Sequence, residues 1–199
     1  MSRYSRKPLF DEGQFQDMMN QLFRNLRISE GFVARQKAGC CGSCISYDIA
    51  SKVKNHGKPT VFTTRQDDYS RGSVYLKFGF IHNSDSPDFE KDDAIAGRII
   101  ADVAKQVGLI VVWNGTGDQC IRVVATKELA IHEAKEDLKN AREYLEYHQS
   151  TPEGSDGREA SIKYGIDKMA TAEKFLQEIA VEEQAKEEEA QARSYAFID

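Results

Sequence analysis

A chain of 199 residues with 40% hydrophobic side chains can bury one core with an accessory element, or two small cores. Its net charge of -5 disfavours a dedicated nucleic-acid binder, which would carry a basic face. No apolar run approaches the roughly 18–20 residues that span a membrane, and no apolar stretch follows the basic N-terminus, so neither an anchor nor a secretory signal is read.

Periodicity sets the elements in chain order. Phe15, Met18, Met19, Leu22 and Leu26 recur at helical spacing and predict a helix over about residues 10–28. Gly31 to Gln36 reads as a short strand, followed by the turn Gly39-Cys-Cys-Gly-Ser-Cys44. Ile45, Ile49 and Val53 mark one face of a helix that stops near His56-Gly57. An extended segment runs from Thr60 to Gln66, and Ser73 to Phe80 alternates as a half-buried strand does. After a polar loop from His82 to Asp88, the residues Ala94, Ile95, Ile99, Val103 and Val107 predict a helix ending at Gly108. Leu109 to Trp113 and Cys120 to Val124 read as strands joined by a turn at Asn114-Gly115.

From residue 31 the order is strand, helix, strand, strand, helix, strand, strand. That order predicts an α+β fold: a ferredoxin-like split β-α-β sandwich with an N-terminal helix, an added edge strand and two helices on one face of an antiparallel sheet. After Thr126 the texture changes. Ile131, Ala134, Leu138, Ala141 and Leu145, then Ile162, Ile166, Met169, Leu176 and Ile179, form narrow stripes on either side of the loop Ser150 to Gly157. They predict an antiparallel helical hairpin suited to self-association or a protein contact. The chain therefore divides into an α+β globular domain over 1–125, with charge +3, and a C-terminal hairpin with an acidic tail over 126–199, with charge -8.

Several pieces of the globular part carry a resemblance: Gly31-Phe-Val-Ala-Arg35, Cys40-Cys41-x-x-Cys44, Gln66-Asp67, Tyr75-Leu-x-Phe-Gly79 and Gly108-Leu-x-Val-x-Trp113-Asn114-Gly115. In these the stretch of about 31–124 resembles an uncharacterised bacterial family, a domain of unknown function. That family shows a Cys-Cys-x-x-Cys-Gly turn, a Gln-Asp pair and a Trp-[Asp/Asn]-Gly turn. The resemblance implies one domain and imports no activity. Ile45 stands where the family's glycine is expected, Cys120 lies outside the shared motif, and the helical hairpin is not expected to be general to the family.

The cysteines carry the most chemistry. A thiolate at a helix N-terminus is stabilised by the dipole and by unpaired amides. Cys41-x-x-Cys44 has the spacing of thiol–disulfide oxidoreductases but not their Trp-Cys-x-x-Cys context. Cys40, Cys41 and Cys44 could give three ligands of a zinc site, with Cys120, His56 or His82 as the fourth. Against both readings stands a plain one, in which small semi-apolar cysteines pack a glycine-rich corner and no cofactor is held. No nucleophile elbow, zincin motif or phosphate-binding loop occurs. Arg35, Arg65, Gln66, Asp67, Trp113 and Asn114 are the candidate ligand-binding residues, meeting at one sheet edge around a small anionic or nucleotide-like molecule.

Three functions follow. The first is a non-catalytic binding or regulatory module, with the hairpin providing oligomerisation or a protein partner. The second captures a nucleotide-like ligand. The third is a thiol-redox or zinc-dependent protein centred on Cys40, Cys41 and Cys44. Four cysteines without a signal place the chain in a reducing cytoplasm.

Overall fold

A computed structural model describes residues 9–52, 57–81, 89–150 and 157–195. The chain divides into two units, residues 1–130 and 131–199. In the first unit, helix α1 (Glu12–Ile28) is capped by the Asp11 carboxylate, which accepts from the Gln14 amide at 2.8 Å. Strand β1 (Val33–Arg35), helix α2 (Gly42–Ala50), strand β2 (Pro59–Phe62), a 3₁₀ turn (Tyr69–Arg71) and strand β3 (Ser73–Phe80) follow. Helix α3 (Phe89–Gln106) and strands β4 (Ile110–Val112) and β5 (Ile121–Val124) complete it. Helices α4 (Lys127–Ser150) and α5 (Arg158–Tyr195) form the hairpin. Among the described residues, no helix is long and apolar enough to cross a membrane.

The α+β class, the N-terminal helix and the C-terminal hairpin all hold. The sheet departs from the ferredoxin-like arrangement. Its order is β1-β2-β3-β5-β4, and β1 pairs directly with β2 in parallel, Val33 opposite Thr60 and Arg35 opposite Phe62. The first β-α-β unit is therefore unsplit and the sheet is mixed rather than antiparallel. The split occurs later: β3 and β4 both run antiparallel to β5, which lies between them.

Alternation along the strands assigns the faces. Ala34, Val61, Val74, Leu76, Ile121 and Val123 pack with Phe15, Leu22, Phe23 and Leu26 of α1 and with Ala96 and Ile100 of α3. Val33 and Phe62, one residue out of phase, pack with Ile45 and Ile49 of α2 and with Ile81. Helix α2 therefore covers the opposite face from α1 and α3, and the expectation that the crossover helices share one face is corrected. The reason is handedness: β1-α2-β2 and β3-α3-β4 step the same way across the sheet, but β3 runs antiparallel to β2, so right-handed crossovers put α2 and α3 on opposite faces.

Tyr69 is pinned under α1. Its hydroxyl shares a hydrogen bond with Thr63 Oγ1 at 2.8 Å, and its ring packs edge-to-face on Phe15. Burial pushes its phenol up to about 12. The neutral phenol is thus favoured by folding, and that stability is complete below the free phenol's pKa near 10 and lost as pH rises toward 12. Urea denaturation at about pH 9 and about pH 11 is expected to show this as a loss of about 1 kcal/mol that Tyr69→Phe does not share.

Within the second unit, Gly165 of α5 lets the two helices approach closely. A Cβ there would stand 2.8 Å from the Leu145 side chain of α4. The Tyr144 and Tyr164 rings meet edge-to-face at 6.1 Å. Arg158 closes the turn by donating to the carbonyls of His148 and Gln149.

Candidate functional site

The cysteine turn is built from the parallel ladder outward. Beyond β1 and β2 the two chains stay bonded: the Thr63 amide donates to Arg35 O at 3.0 Å, the Ala38 amide to Thr63 O at 3.0 Å, and the Arg65 amide to Gly39 O at 3.2 Å. This stitching sets Gly39-Cys40 beside Arg65-Gln66. Gly39 has φ +65, and a Cβ on it would stand 3.3 Å from the Cβ of Ile45. A glycine at 39 therefore makes room for the isoleucine that roots α2 in the sheet.

Cys41 occupies the N-cap of α2, and Gly42, Ser43 and Cys44 form its first turn. The sulfurs of Cys40, Cys41 and Cys44 lie within 4.8 Å of one another, Cys40 to Cys44 at 3.3 Å. Cys40 and Cys44 are exposed and Cys41 is half-buried. The backbone amide of Cys44, then the side chains of Cys44 and Cys40, hold the Cys41 thiol below its ordinary pKa. Cys44 is pushed the other way, to about 11, by the neighbouring sulfurs of Cys40 and Cys41. Near pH 8 Cys41 is therefore expected to take iodoacetamide at least about tenfold faster than Cys44, because its greater thiolate fraction outweighs its lower intrinsic nucleophilicity. Peptide mass spectrometry of partially alkylated protein checks the order.

Three thiols at these separations suit a soft metal ion once they are deprotonated. A zinc ion takes sulfur at about 2.3 Å in tetrahedral geometry, which separates neighbouring sulfurs by about 3.8 Å. Cys120 stands outside this group, and His56 and His82 lie outside the described residues. The β3–β5 register sets Leu76 opposite Ile121, and one residue further sets Cys120 opposite Lys77. Partial enclosure raises the Cys120 thiol's pKa, the Lys77 ammonium opposes that rise and the Asp67 carboxylate adds to it.

Asp67 is the most connected of the six ligand candidates. Its carboxylate accepts from the Thr64 amide at 2.5 Å and the Thr64 hydroxyl at 2.9 Å, and pairs with Lys77 at 3.3 Å. Gln66 and Arg65 are exposed beside the cysteine turn. Arg35 is paired with Asp48 of α2 at 2.5 Å, and Lys52 joins the same carboxylate at 3.0 Å. Both cations hold the Asp48 carboxyl below its usual range, Lys52 first. Trp113 packs on the α1/α3 side. Its ring meets Phe78 edge-to-face at 5.9 Å, and its indole N–H donates to Thr116 O and Gln119 O. Asn114 closes a turn by accepting from the Thr116 amide and hydroxyl.

None of these six lines the cleft beside α2. That cleft, of about 550 Å³, lies between Gly42, Ser46 and Ile49 of α2, the strand residues Phe62 and Lys77, and Asp93 of α3. Lys77 is absent from the sequence candidates, although the alternation of β3 contains the signal: Val74, Leu76, Phe78 and Phe80 share the main core's face, which sends Lys77 to the α2 side.

No curated protein and no solved structure matches the chain. A family model described as a domain of unknown function, DUF6891, matches residues 10–127, from the start of α1 through all five strands and so including the cysteine corner. The chain belongs to the DUF6891 family.

Proposed function

We propose that the α+β unit is a binding module whose cysteine corner holds one thiophilic metal ion, with zinc(II) as the working case. The supporting observation is the convergence of three thiols within 4.8 Å, two of them open to solvent. Cys41, already acidified at the helix N-terminus, is the thiolate that engages first, and the ion then displaces the protons of Cys40 and Cys44. The fourth position falls to water or to another donor. The C-terminal hairpin, which exposes Tyr147, Tyr164 and Ile166, supplies self-association or a protein contact in this reading, and the site of action is the cytoplasm.

A second reading, capture of a small anionic or nucleotide-like molecule, is favoured by the cleft beside α2. Its volume falls within the range of small-molecule sites, and its wall carries the Lys77 ammonium, shared with Asp67, alongside the Asp93 carboxylate. Native mass spectrometry of the full chain, purified without added metal and then given one equivalent of zinc, separates the two. One bound zinc per chain, with Cys40, Cys41 and Cys44 protected from alkylation, is the expected result. A persistent organic mass that leaves all four thiols reactive would replace it with ligand capture, and a mass that fits more than one chain would assign self-association.

A further inference from the structure

A metal site of three thiols is also a site at which one disulfide can form. We propose that a low-molecular-weight disulfide oxidises Cys40 and Cys44 to an internal disulfide, and that this bond closes the corner to the metal ion. The second half rests on the metal-binding reading above, whereas disulfide formation in the metal-free protein is independent of it.

The pair is set by sulfur separation rather than by acidity: Cys41 is the more acidic thiol and can take the small disulfide first, but exchange within the cluster ends at the Cys40 and Cys44 sulfurs held in contact. The Cys40 and Cys44 sulfurs are 3.3 Å apart, so bonding at the usual length of about 2.05 Å needs a closure of little more than 1 Å. Both residues are exposed, so a small reagent reaches either sulfur. Cys40 precedes the helix and Cys44 sits in its first turn, so the bond spans the helix start without crossing the sheet. A bond between the neighbours Cys40 and Cys41 would instead close a small ring around a planar peptide.

Atoms and electrons balance in two steps. The Cys40 thiolate attacks one sulfur of the small disulfide, forming a mixed disulfide and expelling one small thiolate. The Cys44 thiolate then attacks the Cys40 sulfur, forming the internal bond and expelling the second small thiolate. The two protein thiols are oxidised, the small disulfide is reduced, and the two protein protons end on the two small thiols. Cys41 remains as a single sulfur ligand, which does not retain the ion.

The test uses full-length, metal-free protein and 2-hydroxyethyl disulfide, followed by alkylation and trypsin. Cleavage after Lys37 and Lys52 frees one peptide with all three cysteines and leaves Cys120 in another. That peptide is expected to be lighter by two hydrogens and to carry one alkylated thiol, at Cys41. Cys41→Ser is expected to form the same bond within about threefold of the wild-type rate, whereas Cys44→Ser stops at the mixed disulfide. A bond that includes Cys41, or a wild-type protein that stops at the mixed disulfide, overturns the assignment. Reduced protein is then expected to bind one zinc and oxidised protein none. Equal binding by both overturns the gating. Absence of zinc from the reduced protein defeats the metal reading and the gating together, while the disulfide result stands.

Discussion

Gly97→Val is expected to destabilise the α+β unit by at least about 3 kcal/mol, more than most single substitutions in a domain of this size. Gly97 lies inside α3, where glycine is normally a liability of about 1 kcal/mol against alanine. Here the missing side chain is the point of contact. A Cβ at 97 would stand 2.4 and 2.5 Å from two ring atoms of Trp113 and 3.0 Å from the Phe78 ring. Trp113 has little room to yield, because its indole N–H donates to Thr116 O at 3.0 Å and Gln119 O at 3.3 Å. Alanine recovers more helix propensity than valine and adds less bulk against the Trp113 ring, so the order of stability should be glycine, then alanine, then valine. Equilibrium urea denaturation measures it. A valine variant as stable as the parent would mean that α3 and β4 do not pack at this point.

Cys44→Ser is expected to weaken zinc binding by at least about tenfold, since losing a ligand should cost no less than the 10–100-fold typical of losing its outer-shell partner. Cys120→Ser, outside the sulfur group, is expected to change affinity little. Cys44 is exposed, so the folded state should survive its replacement, which denaturation of the same variant tests. The direction of the pH dependence also follows. Cys44 is protonated at neutral pH, being pushed to about 11, so binding must expel its proton. Zinc affinity should therefore climb between about pH 6 and about pH 8, and competition against a chromophoric chelator reads both effects. An affinity that is flat in pH, or equally weakened by Cys120→Ser, would place the ion elsewhere.

Much of the fold was legible because it is written locally. Alternation in Ser73 to Phe80 and the 3.6-residue repeat of Phe15, Met19, Leu22 and Leu26 each identify an element without reference to any other. Strand order was not legible in this way. Whether β1 pairs with β2 directly or leaves room for another strand is decided by contacts between segments distant in sequence, and both arrangements use the same element order. The same limit governed the site. The cysteine corner was visible as a motif, and its proximity to Gln66-Asp67 follows from the β1–β2 ladder running on to Gly39. Trp113 drew attention as an aromatic wall for a ligand, yet it shares parity with Val111, which packs against the main core. Lys77 was missed because a lone lysine in a strand reads as a solvent-facing residue. Only the position of α2 reveals that its stem runs 3.6 Å from where a Gly42 Cβ would be.

X-ray absorption at the zinc edge, on full-length protein loaded with one equivalent of zinc, tests the metal assignment most directly. The expected spectrum shows a first shell dominated by about three sulfurs near 2.3 Å, reduced in sulfur content in Cys44→Ser. A first shell of nitrogen and oxygen alone near 2.0 Å would contradict it, and would leave the three cysteines as the packing of a tight corner.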